Sequence, residues 1–265
     1  MDPPSSGRTD GDSGSRGQHQ QCHGVSAPKK NEIKPWQVKS WCLPRPGALF
    51  VAKMEDILDV YARPFDPERP VVCVDETTKE LRSTPRGSLP VQAARPERED
   101  YVYERHGTAN VFLSVEPLAG RRQVRLTERH TKLDFAEELR CILEDDYPNA
   151  ERVVLITDNL NTHGVHALYE AFEPEQARRL ARRLEWHFTP EHASWLNVAE
   201  IELSALSLQA IGRRVGSIDE LRSRIERWVS QRNQRQVRID WQFQAKDARI
   251  KLRRLYPRYK PAELS

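Results

Sequence analysis

What this sequence lacks narrows it first. No apolar run approaches the ~18 residues needed to cross a membrane, so no spanning segment is expected. The first 24 residues hold no apolar core segment, which excludes a secretory signal there. Cysteine is scarce: Cys22, Cys42, Cys73 and Cys141 are widely spaced, with no Cys-x-x-Cys pair. That argues against a zinc site or a disulfide framework and fits a reducing cytosol. Hydrophobic residues make up 38% of the 265, enough for one sizeable core but not for a chain that is globular throughout. No internal repeat is present.

The net charge of +3 hides an asymmetry. Residues 211–265 carry 15 Lys and Arg against 6 Asp and Glu, so the preceding 210 carry 27 against 33. A basic end beside an acidic middle suggests a polyanion partner for the end and a cation for the middle; the alternative for the end is a solvated helix face. Residues 1–30 are rich in Gly, Ser, Gln and Pro and are expected to be disordered, because they cannot bury enough surface to offset the cost of ordering. Residues 31–69 read as a linker and helix leading into the core. Trp36, Trp41 and Phe50 there suit either a DNA-contacting linker or, as favoured here, a strap packed on the core.

The remaining elements follow from periodicity. Val51, Met54, Ile57, Leu58 and Tyr61 predict a helix over 48–62. Val71–Val74 predicts a buried strand ending on Asp75-Glu76. Residues 77–98, broken by four prolines and glycines, read as a long loop. Tyr101–Tyr103 leads into a hairpin, 109–115 and 123–127, turned at 117–120. Thr131 with Asp134 resembles a capping box for a helix that stops before Pro148. Val153–Thr157 is a second buried strand, stopped by Asp158. A helix or helix pair over 165–184 carries Arg178, Arg179, Arg182 and Arg183 outward. A short strand over 185–189, a helix over 195–213 capped by Ser194, and helices near 218–228 and 245–255 complete the chain. The order predicts an α/β fold: a mixed sheet flanked by helices over 70–213, with a basic helical C-terminal extension over 214–265. It resembles the ribonuclease-H-like arrangement.

Three acids fall on separate elements of that plan. Asp75 and Asp158 end buried strands, where open α/β sheets place ligands. At ~100° per residue, Glu200 falls within the stripe set by Leu196, Ala199, Leu203, Leu206, Ser207 and Ala210. An acid there is costly unless paired or metal-bound. Glu202 lies over ~90° away and is expected to meet solvent or a basic residue. Strand alternation sends Glu76 to the face opposite Asp75. Phosphodiester cleavage or transfer needs an activated oxygen nucleophile and neutralised phosphoryl charge, and two Mg²⁺ ions roughly 3.5–4 Å apart supply both. Mg²⁺ prefers carboxylate oxygens and keeps some waters, so a few converging acids suffice. Asp75 or Asp158 alone also suits a turn or a helix cap. His163 either orients a nucleophile or phosphate or caps the next helix; Asn197 either holds a ligand carboxylate or caps. His187 is expected to pack.

The blocks Cys73-Val74-Asp75-Glu76-Thr77, Asp158-Asn159-Leu160-Asn161-Thr162-His163 and Ser194-Trp195-Leu196-Asn197-Val198-Ala199-Glu200 resemble the three acid blocks of DDE-superfamily transposases. The nearest group is the bacterial insertion-sequence transposases related to mariner elements. The resemblance runs from about Lys34 to Pro257, including the block Trp241-Gln242-Phe243…Asp247-Ala248-Arg249-Ile250-Lys251-Leu252. It implies that Asp75, Asp158 and Glu200 are the catalytic triad and hold two Mg²⁺ ions, with Mn²⁺ able to substitute. Asn159, His163 and Asn197 are secondary candidates. It implies strand cleavage at transposon ends and strand transfer into target DNA, with double-stranded DNA as partner, a homodimer, and a cytoplasmic, nucleoid-associated place. Arg178, Arg179, Arg182, Arg183, Arg249, Lys251, Arg253 and Arg254 are the expected phosphate contacts. The family carries helix-turn-helix domains upstream, whereas about 30 low-complexity residues precede the match here, so a truncated or frame-disrupted copy is expected. The alternatives are a non-catalytic DNA-binding relic of a transposase, and a host nuclease on the same fold.

Overall fold

β-branched residues at 71–74 and 153–157 form the two strands around which the sheet is laid down. The architecture is that of a computed structural model, which describes residues 47–258 except 86, 87, 90–97, 100, 159, 161 and 162, and the backbone alone at 88, 89, 98 and 99. The expected disorder over 1–30, the strap at Trp36 and Trp41, and the candidate Asn159 lie outside the described residues.

Helix α1 (Ala48–Tyr61) leads into β1 (Val71–Ser83). Two short strands, β2 (Ser88–Leu89) and β3 (Arg98–Glu99), pair with each other. Then come β4 (Glu104–Glu116), β5 (Arg121–Thr127), α2 (Lys132–Cys141), β6 (Val153–Thr157), α3 (Val165–Ala171), α4 (Pro174–Arg182), β7 (Leu184–Phe188), α5 (Val198–Leu206), α6 (Ile218–Gln234) and α7 (Ala245–Lys251). The main sheet has the order β5-β4-β1-β6-β7. β5, β4 and β1 run antiparallel; β1, β6 and β7 run parallel. This strand order and these directions are those of the ribonuclease-H-like mixed sheet, with helices on both faces.

The period of two along each strand sorts the core. Cys73, Val154 and Ile156 pack with α1, α5 and α6 through Met54, Leu203 and Leu221. Val72, Val74, Val153 and Leu155 pack on the other face with Phe135, Leu139, Leu168 and Leu180. The C-terminal residues belong to the first of these layers: Leu221, Ile225, Trp228 and Trp241 all pack into it.

Four local expectations change. Residues 77–83 are strand and not loop, because β4 offers a continuous antiparallel partner from Cys73↔Val115 to Ser83↔Glu104. Tyr101–Tyr103, the expected lead-in to the hairpin, is not strand. The long helix expected over 195–213 is three pieces: a 3-10 turn at Ser194–Leu196, α5, and a π-helical turn at Ser207–Ile211. Its cap is Asn197 and not Ser194: the Asn197 Oδ1 accepts the Ala199 N–H at 3.0 Å. The Thr131–Asp134 capping box forms as the sequence indicates. Gly120, at φ +68, closes the β4–β5 turn where a Cβ would come within 2.8 Å of the Gln236 backbone.

Candidate active site

Parallel pairing sets the relation of the first two acids. β1 and β6 pair as Val71↔Val154, Val72↔Leu155 and Cys73↔Ile156. Continuing that register puts Asp75 level with Asp158, where the two strands part. Alternation also gives them one face, since Cys73 and Ile156 both pack toward α5.

Asp75 is buried. Its Oδ1 accepts the Glu76 N–H at 2.8 Å, and its Oδ2 accepts the Asn197 side-chain amide at 3.1 Å. The same amide lies 3.2 Å from the Val74 carbonyl. Asn197 therefore performs both roles left open for it: it caps α5 and holds Asp75. Burial pushes the Asp75 carboxyl up to about 7, against the Glu76 N–H, while Glu200, Asp158 and Glu76 add repulsion. Tyr61 fixes the same junction from below. Its hydroxyl donates to the Leu196 carbonyl at 2.7 Å, accepts the Val198 N–H at 3.3 Å, and lies 3.4 Å from the Cys73 Sγ.

Asp158 is held by His163. The His163 Nδ1 hydrogen-bonds the Asp158 Oδ1 and lies 3.3 Å from the Thr157 hydroxyl. The Nε2 lies 3.1 Å from the Glu76 Oε2, and the ring is tilted 4.3 Å from Phe135. Burial opposes protonation of this imidazole, but the bonds to Asp158 and Glu76 outweigh it and lift the pKa to about 9. Glu76 is the residue that sequence reasoning set aside. Alternation does send it away from Asp75, but onto the face where His163 lies. His187 packs as expected, paired to Asp56 at 2.7 Å and Glu185 at 3.0 Å.

Glu200 and Glu202 part company on α5, as their ~200° separation requires, but in the reverse sense to the expected stripe: Glu202 is buried with Val198, Ala199, Leu203 and Leu206, and Glu200 is half-buried. Glu202 is 2% exposed and meets Arg122, itself fully buried, and Arg232 at 2.7 Å. Anchoring Glu202 inward turns Glu200 out to the cleft. Partial burial raises the Glu200 carboxyl above the usual range; the Ser194 hydroxyl opposes this and Asp158 adds to it. Two depressions share Glu200. One, about 540 Å³, is lined by Asp75, Glu76, Thr77, Ser204 and Leu208. The other, about 270 Å³, is lined by Asp158, Thr189, Pro190, His192 and Ser194. His192 sits there at φ 60, a left-handed conformation uncommon outside glycine.

The acids fit hard divalent cations. Their donors are all oxygens, and the negative charge of Asp158 helps to raise the Asp75 and Glu200 pKa values across the cleft. Among the described residues, no group of three or more His, Cys, Asp or Glu side chains is close enough to cage a metal unaided.

The candidate phosphate contacts divide. Arg183 is a structural anchor, a correction to its expected role: its guanidinium donates to the carbonyls of Leu143 (2.8 Å), Tyr147 (2.7 Å) and Ala150 (3.0 Å). Its own carbonyl accepts the Val153 N–H, at the end of β6 away from Asp158. Arg179 pairs with Glu144 at 3.0 Å, and Arg249 grips Glu55 of α1 at 2.8 and 2.9 Å. Arg178, Arg182, Lys251, Arg253 and Arg254 are exposed.

A family model, the DDE superfamily endonuclease, matches residues 70–222, more than half of the chain. The chain belongs to the DDE superfamily of endonucleases. No curated protein matches it significantly. Solved structures similar to this family member include the Mos1 mariner paired-end complex with Mn (15% identity, 78% of this chain and 63% of that chain, TM-score 0.49). Another is the Mos1 strand transfer complex (14%, 76% and 62%, TM-score 0.48). The chain thus spans less than two thirds of either, and the fold assignment rests on strand order and direction instead.

Proposed function

We propose that this DDE endonuclease is the catalytic domain of a transposase of the insertion-sequence, mariner-related kind. It cleaves strands at transposon ends and joins them to target DNA in the nucleoid, as a homodimer, using two Mg²⁺ ions or Mn²⁺ in their place. The observation that carries this is the alignment of Asp75 with Asp158 on one face, opposite the outward-turned Glu200, within a matched endonuclease domain.

When bound, the cations supply Lewis acidity for an oxygen nucleophile and neutralise charge at phosphorus. Asp75, Asp158 and Glu200 supply the oxygen ligands. Asn197 holds the Asp75 Oδ2, and His163 fixes the orientation of Asp158 through the Nδ1 contact. Partner groups of this kind are typically worth ~10–100-fold in metal affinity or activity. Asn159, next to Asp158 in the sequence, is proposed as a secondary candidate for its amide.

A second reading, a non-catalytic DNA-binding relic, is favoured by one observation: the described acids do not close into a metal cage on their own. A nicking assay on supercoiled plasmid with Mg²⁺ or Mn²⁺ separates the two. Nicking by the intact chain that disappears in Asp158→Asn supports the catalytic reading. DNA binding without cleavage by either protein supports the relic.

A further inference from the structure

Glu76 is a buried carboxylate that the acid triad does not use. It shares a strand face with Val72 and Val74, which pack with Phe112 and Phe135. Its side chain is 14% exposed, and its Oε2 is closed off from solvent. A carboxylate in such a layer is costly unless partnered. Among the described residues, one donor comes near that oxygen: the His163 Nε2, at 3.1 Å.

His163 arrives from the neighbouring strand. The last backbone pair between β1 and β6 is Cys73↔Ile156. Past it the strands part, and the chain after Thr157 turns. The Leu160 N–H donates to the Asp158 Oδ1 at 3.4 Å, and the His163 N–H donates to the Leu160 carbonyl at 3.0 Å. This turn folds the imidazole back into the gap, where it is buried against Phe135. Its Nδ1 meets Asp158 and its Nε2 meets Glu76. One ring thus joins the residue after Asp75 on β1 to the acid that follows β6, beyond the last backbone pair.

We propose that Glu76 is a positioning residue: acting through His163, it fixes where Asp158 stands relative to Asp75, and so the spacing of the oxygens offered to a divalent cation. Both ring nitrogens are engaged, so His163 orients a ligand and not the nucleophile. The proposal rests on the catalytic reading for what Asp158 binds; the clamp itself needs no metal. Glu76 also borders the depression lined by Asp75 and Glu200, so direct ligation is the rival role, and the experiment separates the two.

Mn²⁺ affinity of the full-length chain is measured by calorimetry for the native protein, Glu76→Leu, Glu76→Gln, His163→Ala and the Glu76→Leu/His163→Ala double variant. Glu76→Leu and His163→Ala are each expected to weaken binding by about tenfold or more. The double variant should bind no more weakly than His163→Ala, because the first residue acts through the second. Glu76→Gln keeps a hydrogen-bonding partner for the Nε2 and should recover most of the loss. Amide exchange in the metal-free chain gives a second measure. Glu76→Leu should speed exchange of the His163 N–H by about tenfold or more and leave the Ile156 N–H unchanged, whereas a loss of overall stability would move both. Thermal unfolding checks each variant. Should His163→Ala be unfolded, the contrast between Glu76→Leu and Glu76→Gln carries the test.

Binding as weak in Glu76→Gln as in Glu76→Leu, or additive losses in the double variant, would make Glu76 a ligand in its own right and overturn the proposal. So would native affinity and native His163 exchange in Glu76→Leu. Mn²⁺ binding that is absent from the native chain, or that survives Asp158→Asn, sinks the catalytic reading. Faster His163 exchange in Glu76→Leu would then still place the clamp, and unchanged exchange would remove it.

Discussion

Asp75 and His163 titrate in ways that oppose the metal-free state. The Asp75 carboxyl moves from 3.8 to about 7 on folding, so its share of stability is present below about pH 4 and lost as pH rises through 7. The His163 imidazole moves from 6.5 to about 9, so its share is full below 6.5 and lost as pH rises through 9. Metal-free protein is therefore expected to lose thermal stability steadily above pH 4. Cation affinity should rise with pH, by about tenfold per unit at most, and level off near pH 7, because a cation must displace the Asp75 proton. Thermal scans in chelator and in Mn²⁺ across pH 4–9 check both; a flat Mn²⁺ response would contradict them. The buried ion pair gives a second expectation. Glu202→Leu leaves the fully buried Arg122 guanidinium with the carbonyls of Gly120 and Val237 as its hydrogen-bond acceptors among the described residues. It should cost about 3–5 kcal/mol in denaturant unfolding, and Arg122→Met added to it should recover part of that loss. Glu202 was half legible in sequence: periodicity separated it from Glu200, but its partners lie 80 and 30 residues away on β5 and α6. No local pattern encodes contacts at that range.

Asn197 shows how a terminus can carry more than its helix. Asn197→Ala removes both a cap and the amide on Asp75. It should cost about 1–2 kcal/mol of stability and weaken Mn²⁺ binding by ~10-fold or more, read by calorimetry. The strand β1 was legible only to Asp75. Beyond it, Thr77–Ser83 holds Leu81 as its one apolar residue, too little alternation to declare a strand; pairing with β4 makes it one. The break of the long C-terminal helix into α5 and a π-turn was hidden for a similar reason. The apolar stripe from Leu196 to Ala210 is continuous, while the Asn197 bond to Asp75 decides where the helix begins. Gly120→Ala tests the β4–β5 corner. A methyl there meets the Gln236 backbone at a positive φ, so more than about 1 kcal/mol of destabilisation is expected from chemical denaturation.

At the scale of the whole molecule, the basic C-terminal extension is part of the structure that holds the site. Trp241 stacks at 5.0 Å on Tyr61 and at 6.5 Å on Trp195, beside Ser194 and its bond to Glu200. Charge asymmetry marked 214–265 as a basic extension with a polyanion partner or a solvated helix face, because net charge counts the outward face of an amphipathic helix and is blind to Leu221, Ile225 and Trp228 on its inner face. Ending the chain at residue 213 should abolish cooperative unfolding by circular dichroism, since removing that apolar layer exceeds the ~5–15 kcal/mol by which domains are stable. A folded 1–213 fragment would refute this.

The Tyr61–Cys73 contact has one more consequence. Cys73 is fully buried, two residues before Asp75, and burial pushes its thiol up to about 12. It is thereby silent toward alkylating reagents while β1 is closed. With Cys22, Cys42 and Cys141 replaced by Ser, a single buried thiol becomes a clock. Its rate of modification measures how often the strand beneath the acids comes open, and a divalent cation that binds Asp75 and Asp158 should slow that clock without touching the sulfur.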